Sequence, residues 1–275
     1  MVKGCWAFAL PLLVQALFGS ASAQQAVRVP VADARGTMQL NAQLYRPQAP
    51  DKLAAVAIFH GCGGVGVNNA RMAGLLRDWG YAALVVDSFT ARQMTDVCGR
   101  NWPTQADAEA RVRDIDAALL WLSQQNFVDS TRLAFMGYSY GGGVALLRAF
   151  TPAATPKAAA AVLVYPDCAL GGRLKPNPVP QQPTMFALAE LDDWTPTAEC
   201  QSLLQGAAAR ERIETHVYAG AHHSFDALGL PVRYLDGVGN RSKPGGCCGA
   251  HYGANEGAWN AFVADTRAFL ANKLH

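Results

Sequence analysis

The sequence predicts an α/β protein whose central sheet is mostly parallel and covered by helices on both faces. Three observations carry this. Six short, largely apolar runs lie at Leu53 to Phe59, Tyr81 to Val86, Arg132 to Met136, Ala160 to Tyr165, Thr184 to Ala189 and Ile213 to Tyr218. Continuous hydrophobicity marks strands buried on both sides. Helical patterns alternate with these runs, as the crossovers of a parallel sheet require. No internal repeat or break in composition marks a second domain, so residues 24–275 are expected to form one.

Taken in chain order, the first segment stands apart. Lys3 precedes an apolar run from Cys5 to Phe18, which is followed by Gly19-Ser20-Ala21-Ser22-Ala23, a small-residue cleavage signature. Interrupted by Pro11 and Gln15, the run falls short of the about 20 residues that span a bilayer. Residues 1–23 are therefore expected to be a signal peptide, with the mature chain starting at Gln24 in a periplasmic or secreted setting. Ala70 to Trp79 reads as the first helix. The clearest helix follows the second strand, with Ala108, Val112, Ile115, Leu119 and Leu122 on one stripe, the charged residues largely off it, and Thr104 with Asp107 as its cap. Further helices are expected at Gly142 to Ala149, Pro196 to Ala209 and Gly257 to Leu274. Two long loops remain, Asp167 to Pro183 and Leu228 to Glu256, placed to border a site.

With 51% hydrophobic and 16% charged residues the chain has the composition of a globular protein with a sizeable core. Without Lys3 there are 22 basic and 21 acidic side chains and no run of like charge, so nothing attracts nucleic acid. No stretch beyond the leader is apolar enough for a membrane span. Six cysteines remain after the leader: Cys62, Cys98, Cys168, Cys200, Cys247 and Cys248. Six cysteines allow 15 connectivities. Cys62 with Cys98 and Cys168 with Cys200 would each join loops that follow strands, contributing about 2 to 4 kcal/mol apiece, and Cys247 with Cys248 would form a vicinal pair. The competing use is metal, but adjacent cysteines lack the two-residue spacing that brings both thiolates to one zinc. No cofactor or metal is expected.

Between the third strand and its helix stands Gly137-Tyr138-Ser139-Tyr140-Gly141, a G-x-S-x-G. A strand that turns sharply into a helix presents its middle residue at the tip, and flanking glycines avoid backbone clashes. An ordinary glycine-rich turn is the alternative. A nucleophilic serine needs a base, an acid to orient that base, and donors for the oxyanion. The strand Thr184 to Ala189 runs into Glu190-Leu191-Asp192-Asp193-Trp194, which puts carboxylates on the same sheet edge as Ser139. Asp192 is the choice for the acid; Asp193 is the alternative, or caps the helix near Pro196. The last strand ends in His222-His223, either of which can be the base, while His216 within the strand reads as core. For the oxyanion, His60-Gly61-Cys62-Gly63-Gly64 follows the first strand, so the expected donors are the backbone amides of Cys62 and Tyr140. Tyr138, Tyr140, Trp194 and Phe225 are expected to line an aromatic mouth. Arg92 or Arg100 would meet a substrate carboxylate, with solvent exposure as their other possible fate.

These landmarks, His60-Gly61-Cys62-Gly63-Gly64, Val86-Asp87-Ser88-Phe89 with Arg92 and Cys98, Gly137 to Gly141, Asp192 with Pro196, and Tyr218 to Phe225, make the chain resemble the dienelactone hydrolase family from about Gly36 to Leu274. The resemblance implies an α/β-hydrolase fold, cleavage of esters and lactones, His223 as base and Asp192 as acid. The founding members carry cysteine where this chain has Ser139, and His60-Gly61-Cys62 replaces the segment bearing their assisting glutamate. A serine nucleophile does not depend on thiolate formation, so the likeness supports ester hydrolysis more than dienelactone itself. The expected partner is a small-molecule ester or lactone. Peptide hydrolysis of the prolyl-oligopeptidase type and a non-catalytic binding scaffold are the competing readings.

Overall fold

The computed structural model describes residues 1, 24–33, 36–99, 104–152, 156–240 and 242–275. The expected leader and Arg100 therefore lie outside the described residues. Strands β1 (Gln24–Asp33), β2 (Gly36–Tyr45), β3 (Leu53–Phe59), β4 (Ala82–Asp87), β5 (Val128–Tyr138), β6 (Ala160–Val164), β7 (Thr184–Ala189) and β8 (Ile213–Tyr218) form one sheet in the order β1-β2-β4-β3-β5-β6-β7-β8. From β4 to β8 every neighbour is parallel, whereas β1 and β2 join antiparallel at one edge.

Along β3 every residue is buried. Ala55, Ala57 and Phe59 pack into one cluster and Ala54, Val56 and Ile58 into the other. That two-sided packing is the cause of the unbroken apolar run. Helices α2 (Gln105–Ser123), α3 (Tyr140–Phe150) and α4 (Thr197–Gln205) cover the first face, and α1 (Val67–Asp78) and α5 (Glu256–Lys273) the second. The Thr104 and Asp107 capping box is formed at the start of α2. A cap contributes about 1 kcal/mol, and each buried Leu or Ile about 1.5–3. The stripe of Ile115, Leu119 and Leu122 therefore outweighs the cap in holding α2 on the sheet.

Four expectations are corrected. No strand is predicted before residue 53, yet β1 and β2 lie there: only alternate residues such as Val29 and Val31 are buried, and Pro30 sits in an edge strand, so the continuous-run signal is absent. Within α2, Arg111 and Asp114 are off the apolar stripe in sequence but buried in the fold, because each has a polar partner there. His216, expected in the core, is partly exposed and contacts Glu214 and Asp265. The long 228–256 segment is not featureless either. It carries β9 (Arg233–Leu235) and β10 (Ala250–Tyr252), paired antiparallel.

Disulfides join Cys62 to Cys98, Cys168 to Cys200 and Cys247 to Cys248. The first ties the loop after β3 to the segment after β4; the second ties the loop after β6 to α4. Among the described residues no helix is long and apolar enough to cross a membrane.

Candidate active site

Ser139 stands between β5 and α3 with φ 55° and ψ −121°. For a serine this region costs on the order of 1–3 kcal/mol and persists only where the surroundings enforce it. Here its amide donates to the Val164 carbonyl, and its own carbonyl accepts from the amides of Gly143 and Asp167. The flanking glycines are steric necessities. A Cβ on Gly137 would overlap the Gly141 carbonyl, and one on Gly141 would overlap the carbonyl of His60.

His223 follows β8 and is 2% exposed. Its Nε2 lies 2.9 Å from Ser139 Oγ, and its Nδ1 lies 2.7 Å from Asp192 Oδ2. With the Nδ1 hydrogen donated to Asp192, Nε2 is left to accept the Ser139 hydroxyl proton. The acid is anchored in turn: Asp192 Oδ1 accepts from the amides of Trp194 and Thr195 at 2.9 and 2.8 Å. The imidazole is held between the rings of Tyr165 and Trp194, at 4.7 and 4.8 Å between centroids. Behind it Asp226 is wholly buried, which pushes its carboxyl above the usual range, and it accepts from Tyr165 Oη and Asn68 Nδ2. Burial also raises the Tyr165 phenol well above its ordinary value, so it stays a donor.

The loop after β3 closes the other side. A Cβ on Gly61 would lie 3.2 Å from that of Ser139, so the segment bearing the Cys62 amide runs against Ser139. Tyr140 opens α3, whose first-turn amides point out of the helix. His60 is not an acid–base group here. Burial, then Arg111, lowers its pKa to about 3, and the neutral ring donates from Nδ1 to the Gly61 carbonyl while Nε2 accepts from the Ser88 amide.

Ser139, His223, Tyr165 and the Gly61-Cys62 loop line a cleft of about 310 Å³. Trp194 lines it, and its indole N–H donates to the Gly239 carbonyl. Tyr138 borders the cleft, although its ring is 1% exposed and packs towards Tyr165. Phe225 is not at the mouth. It is fully buried against Tyr165, Tyr218 and Phe262, because this apolar ring fills the core beneath the His223 turn. Nor does Arg92 reach the cleft. Its guanidinium makes a two-bond pair with Asp114 and donates to the Ser88 carbonyl, fixing the loop after β4. The ring of Tyr140 faces a separate cavity beside Arg111. Asp193 neither caps α4 nor meets His223: it accepts from the His251 amide and contacts the His251 ring, pinning β10.

Sequence reasoning missed Tyr165, Asn69, Leu235 and Tyr252, which also line the cleft. Tyr165 directly follows β6 on the catalytic edge, a position that could have drawn notice. Leu235 and Tyr252 come from β9 and β10, and their spacing carries no comparable signal.

A family model described as the dienelactone hydrolase family matches residues 40–267. A protein of Bradyrhizobium sp., described as a probable 2-oxo-3-(5-oxofuran-2-ylidene)propanoate lactonase, is 28% identical over 199 residues, which are 67% of this chain and 78% of that protein. Among solved structures, a dienelactone hydrolase from Anabaena variabilis is 17% identical with a TM-score of 0.61, covering 92% of this chain and 99% of its own. An acetyl xylan esterase from Paenibacillus sp. R4 is also 17% identical, with a TM-score of 0.55 over 74% of this chain and 83% of its own. At such identities the two structures speak to the fold.

Proposed function

The chain belongs to the dienelactone hydrolase family and is a hydrolase of carboxylic esters or lactones, and from that premise we propose that Ser139, His223 and Asp192 carry out the reaction through an acyl-enzyme. The single observation behind this is the buried line from Ser139 Oγ through the His223 ring to Asp192, with separations of 2.9 and 2.7 Å. Ser139 Oγ attacks the carbonyl carbon as His223 Nε2 takes its proton. Asp192 keeps Nδ1 protonated and stabilises the imidazolium. The amides of Cys62 and Tyr140 hold the oxyanion. Collapse breaks the bond to the leaving oxygen, which receives the proton from His223; in a lactone that hydroxyl stays tethered to the acyl chain. Water, deprotonated by the same imidazole, then attacks the acyl-enzyme and frees Ser139.

A cleft near 310 Å³ sits at the small end of ligand sites, which favours short acyl chains and small lactones over long-chain esters. Export to an oxidising compartment is part of the reading, supported by the three disulfides; mass spectrometry of protein from an exporting host should show a chain beginning at Gln24.

The test is a hydrolysis screen over p-nitrophenyl esters of increasing length, lactones and small peptides, with Ser139→Ala as control. Short esters or lactones should be turned over and the variant should lose about 10⁴-fold or more in kcat. Undiminished activity in Ser139→Ala would sink the mechanism, and turnover of peptides alone would favour the peptidase reading.

A further inference from the structure

We propose that Arg111 is a positioning residue for the oxyanion hole: one buried guanidinium ties the loop carrying the Cys62 amide to the helix start carrying the Tyr140 amide. The inference rests on the hydrolase reading above. Arg111 projects from α2, an element that supplies none of the three reacting side chains, and is 2% exposed. Its Nη2 donates to the His60 carbonyl at 2.7 Å, two residues before Cys62. Its guanidinium carbon lies over the Tyr140 ring at 4.8 Å from the centroid and over the Phe89 ring at 5.2 Å. The same His60 carbonyl occupies the space that a side chain at Gly141 would need, so the loop and the first turn of α3 meet where the guanidinium holds them.

Arg111 is not part of the neighbouring ion pair, because Asp114 is taken by both terminal nitrogens of Arg92. Its Nε and Nη1 meet no hydrogen-bond partner among the described residues. Burying a cation without a carboxylate at hydrogen-bond distance is unfavourable in itself. The contacts it does make fall on the two segments that supply the amides and on Phe89 beside them. Removing one oxyanion donor outright costs about 10²–10³ in kcat, so letting both drift is expected to cost about 10 to 100-fold.

The test measures kcat and KM on a p-nitrophenyl ester for Arg111→Met and Arg111→Lys, per active site titrated with a fluorophosphonate, alongside thermal unfolding and affinity for a boronic acid that forms a tetrahedral adduct. For Arg111→Met, kcat per titrated site should fall about 10 to 100-fold with KM within about twofold, and boronate affinity should fall in parallel. Arg111→Lys, lacking the planar fork, should recover only part. A lowered unfolding temperature with unchanged kcat per site, or a raised KM at unchanged kcat, overturns the proposal. Should the Arg111 variants fail to fold, Tyr140→Leu removes the ring under the guanidinium but keeps the backbone amide. It is expected to lose about 3 to 10-fold in kcat, and an unchanged value overturns the proposal equally. Activity surviving in Ser139→Ala would instead bring down the hydrolase mechanism itself, so the two failures are told apart.

Discussion

Two cavities on this molecule differ in what lines them and in what they can do. The larger, about 440 Å³, is bordered by Arg92, Arg111, Arg113 and Asp107. The smaller, about 310 Å³, is bordered by the glycine loop after β3, by aromatic rings, and by Ser139 and His223; among the described residues no arginine or lysine lines it. Charge density would point to the first and hydrogen-bond order to the second. Around the larger cavity Arg92 holds Asp114 and the Ser88 carbonyl, Arg111 holds the His60 carbonyl, and Asp107 caps α2. Beside the smaller, Ser139, His223 and Asp192 stand in one hydrogen-bonded line, the arrangement that the proposed mechanism uses to move a proton during attack.

The largest effect that could break this contrast is in the smaller cleft. Asp192→Asn keeps the shape but favours the wrong imidazole tautomer, so kcat should drop by about 10³ to 10⁴ with folding intact. Steady-state kinetics with a circular dichroism control checks it, and a change below tenfold would remove Asp192 from the proton path. The next effect is on stability against acid. His60 has its pKa lowered to about 3 by burial, whereas an unfolded histidine titrates near 6.5. Between those values the unfolded chain binds a proton that the native chain does not, so stability is complete above about pH 6.5 and is lost as pH falls towards 3. The whole difference corresponds to about 5 kcal/mol, of which about 3 kcal/mol is lost between pH 7 and pH 4. Urea unfolding at pH 7 and pH 4 should show that fall in the native chain and a smaller one in His60→Gln. Smaller again is Arg92→Ala, which strands the buried Asp114 carboxylate and should cost about 3 kcal/mol of folding stability. If Arg92 instead met substrate, the variant would raise KM for an ester bearing a carboxylate and leave unfolding unchanged.

How much of this was legible beforehand depends on the kind of signal. The bounds of β3, β7 and β8 match their runs residue for residue; in β3 and β7 burial on both faces leaves no room for polar interruption, whereas β8, at the sheet edge, is buried only at Tyr218. At the antiparallel edge one face of β1 and β2 meets solvent, the alternation is diluted by Pro30, and neither strand was visible. The three residues that meet in the cleft were legible for a topological reason: each follows the carboxyl end of a parallel strand, and those ends share one edge. The same reasoning paired Cys62 with Cys98 and Cys168 with Cys200. It could not say which way a side chain turns within a loop. Phe225 lies two residues beyond His223, yet His223 faces Ser139 and Phe225 faces α5. Arg92 sits in the expected loop, but its partner Asp114 comes from α2, and no local spacing joins the two. Tyr165 and Asp226, which back the imidazole, are likewise 61 residues apart in sequence.

The central claim is that the smaller cleft, through Ser139, is where esters are cleaved. Folded protein treated with a fluorophosphonate, digested and examined by mass spectrometry tests it most directly. One phosphonyl group per molecule, located on Ser139 and accumulating in step with loss of ester hydrolysis, is the result this account predicts. Full loss of activity with the label on another residue, or full retention with Ser139 labelled, would contradict it.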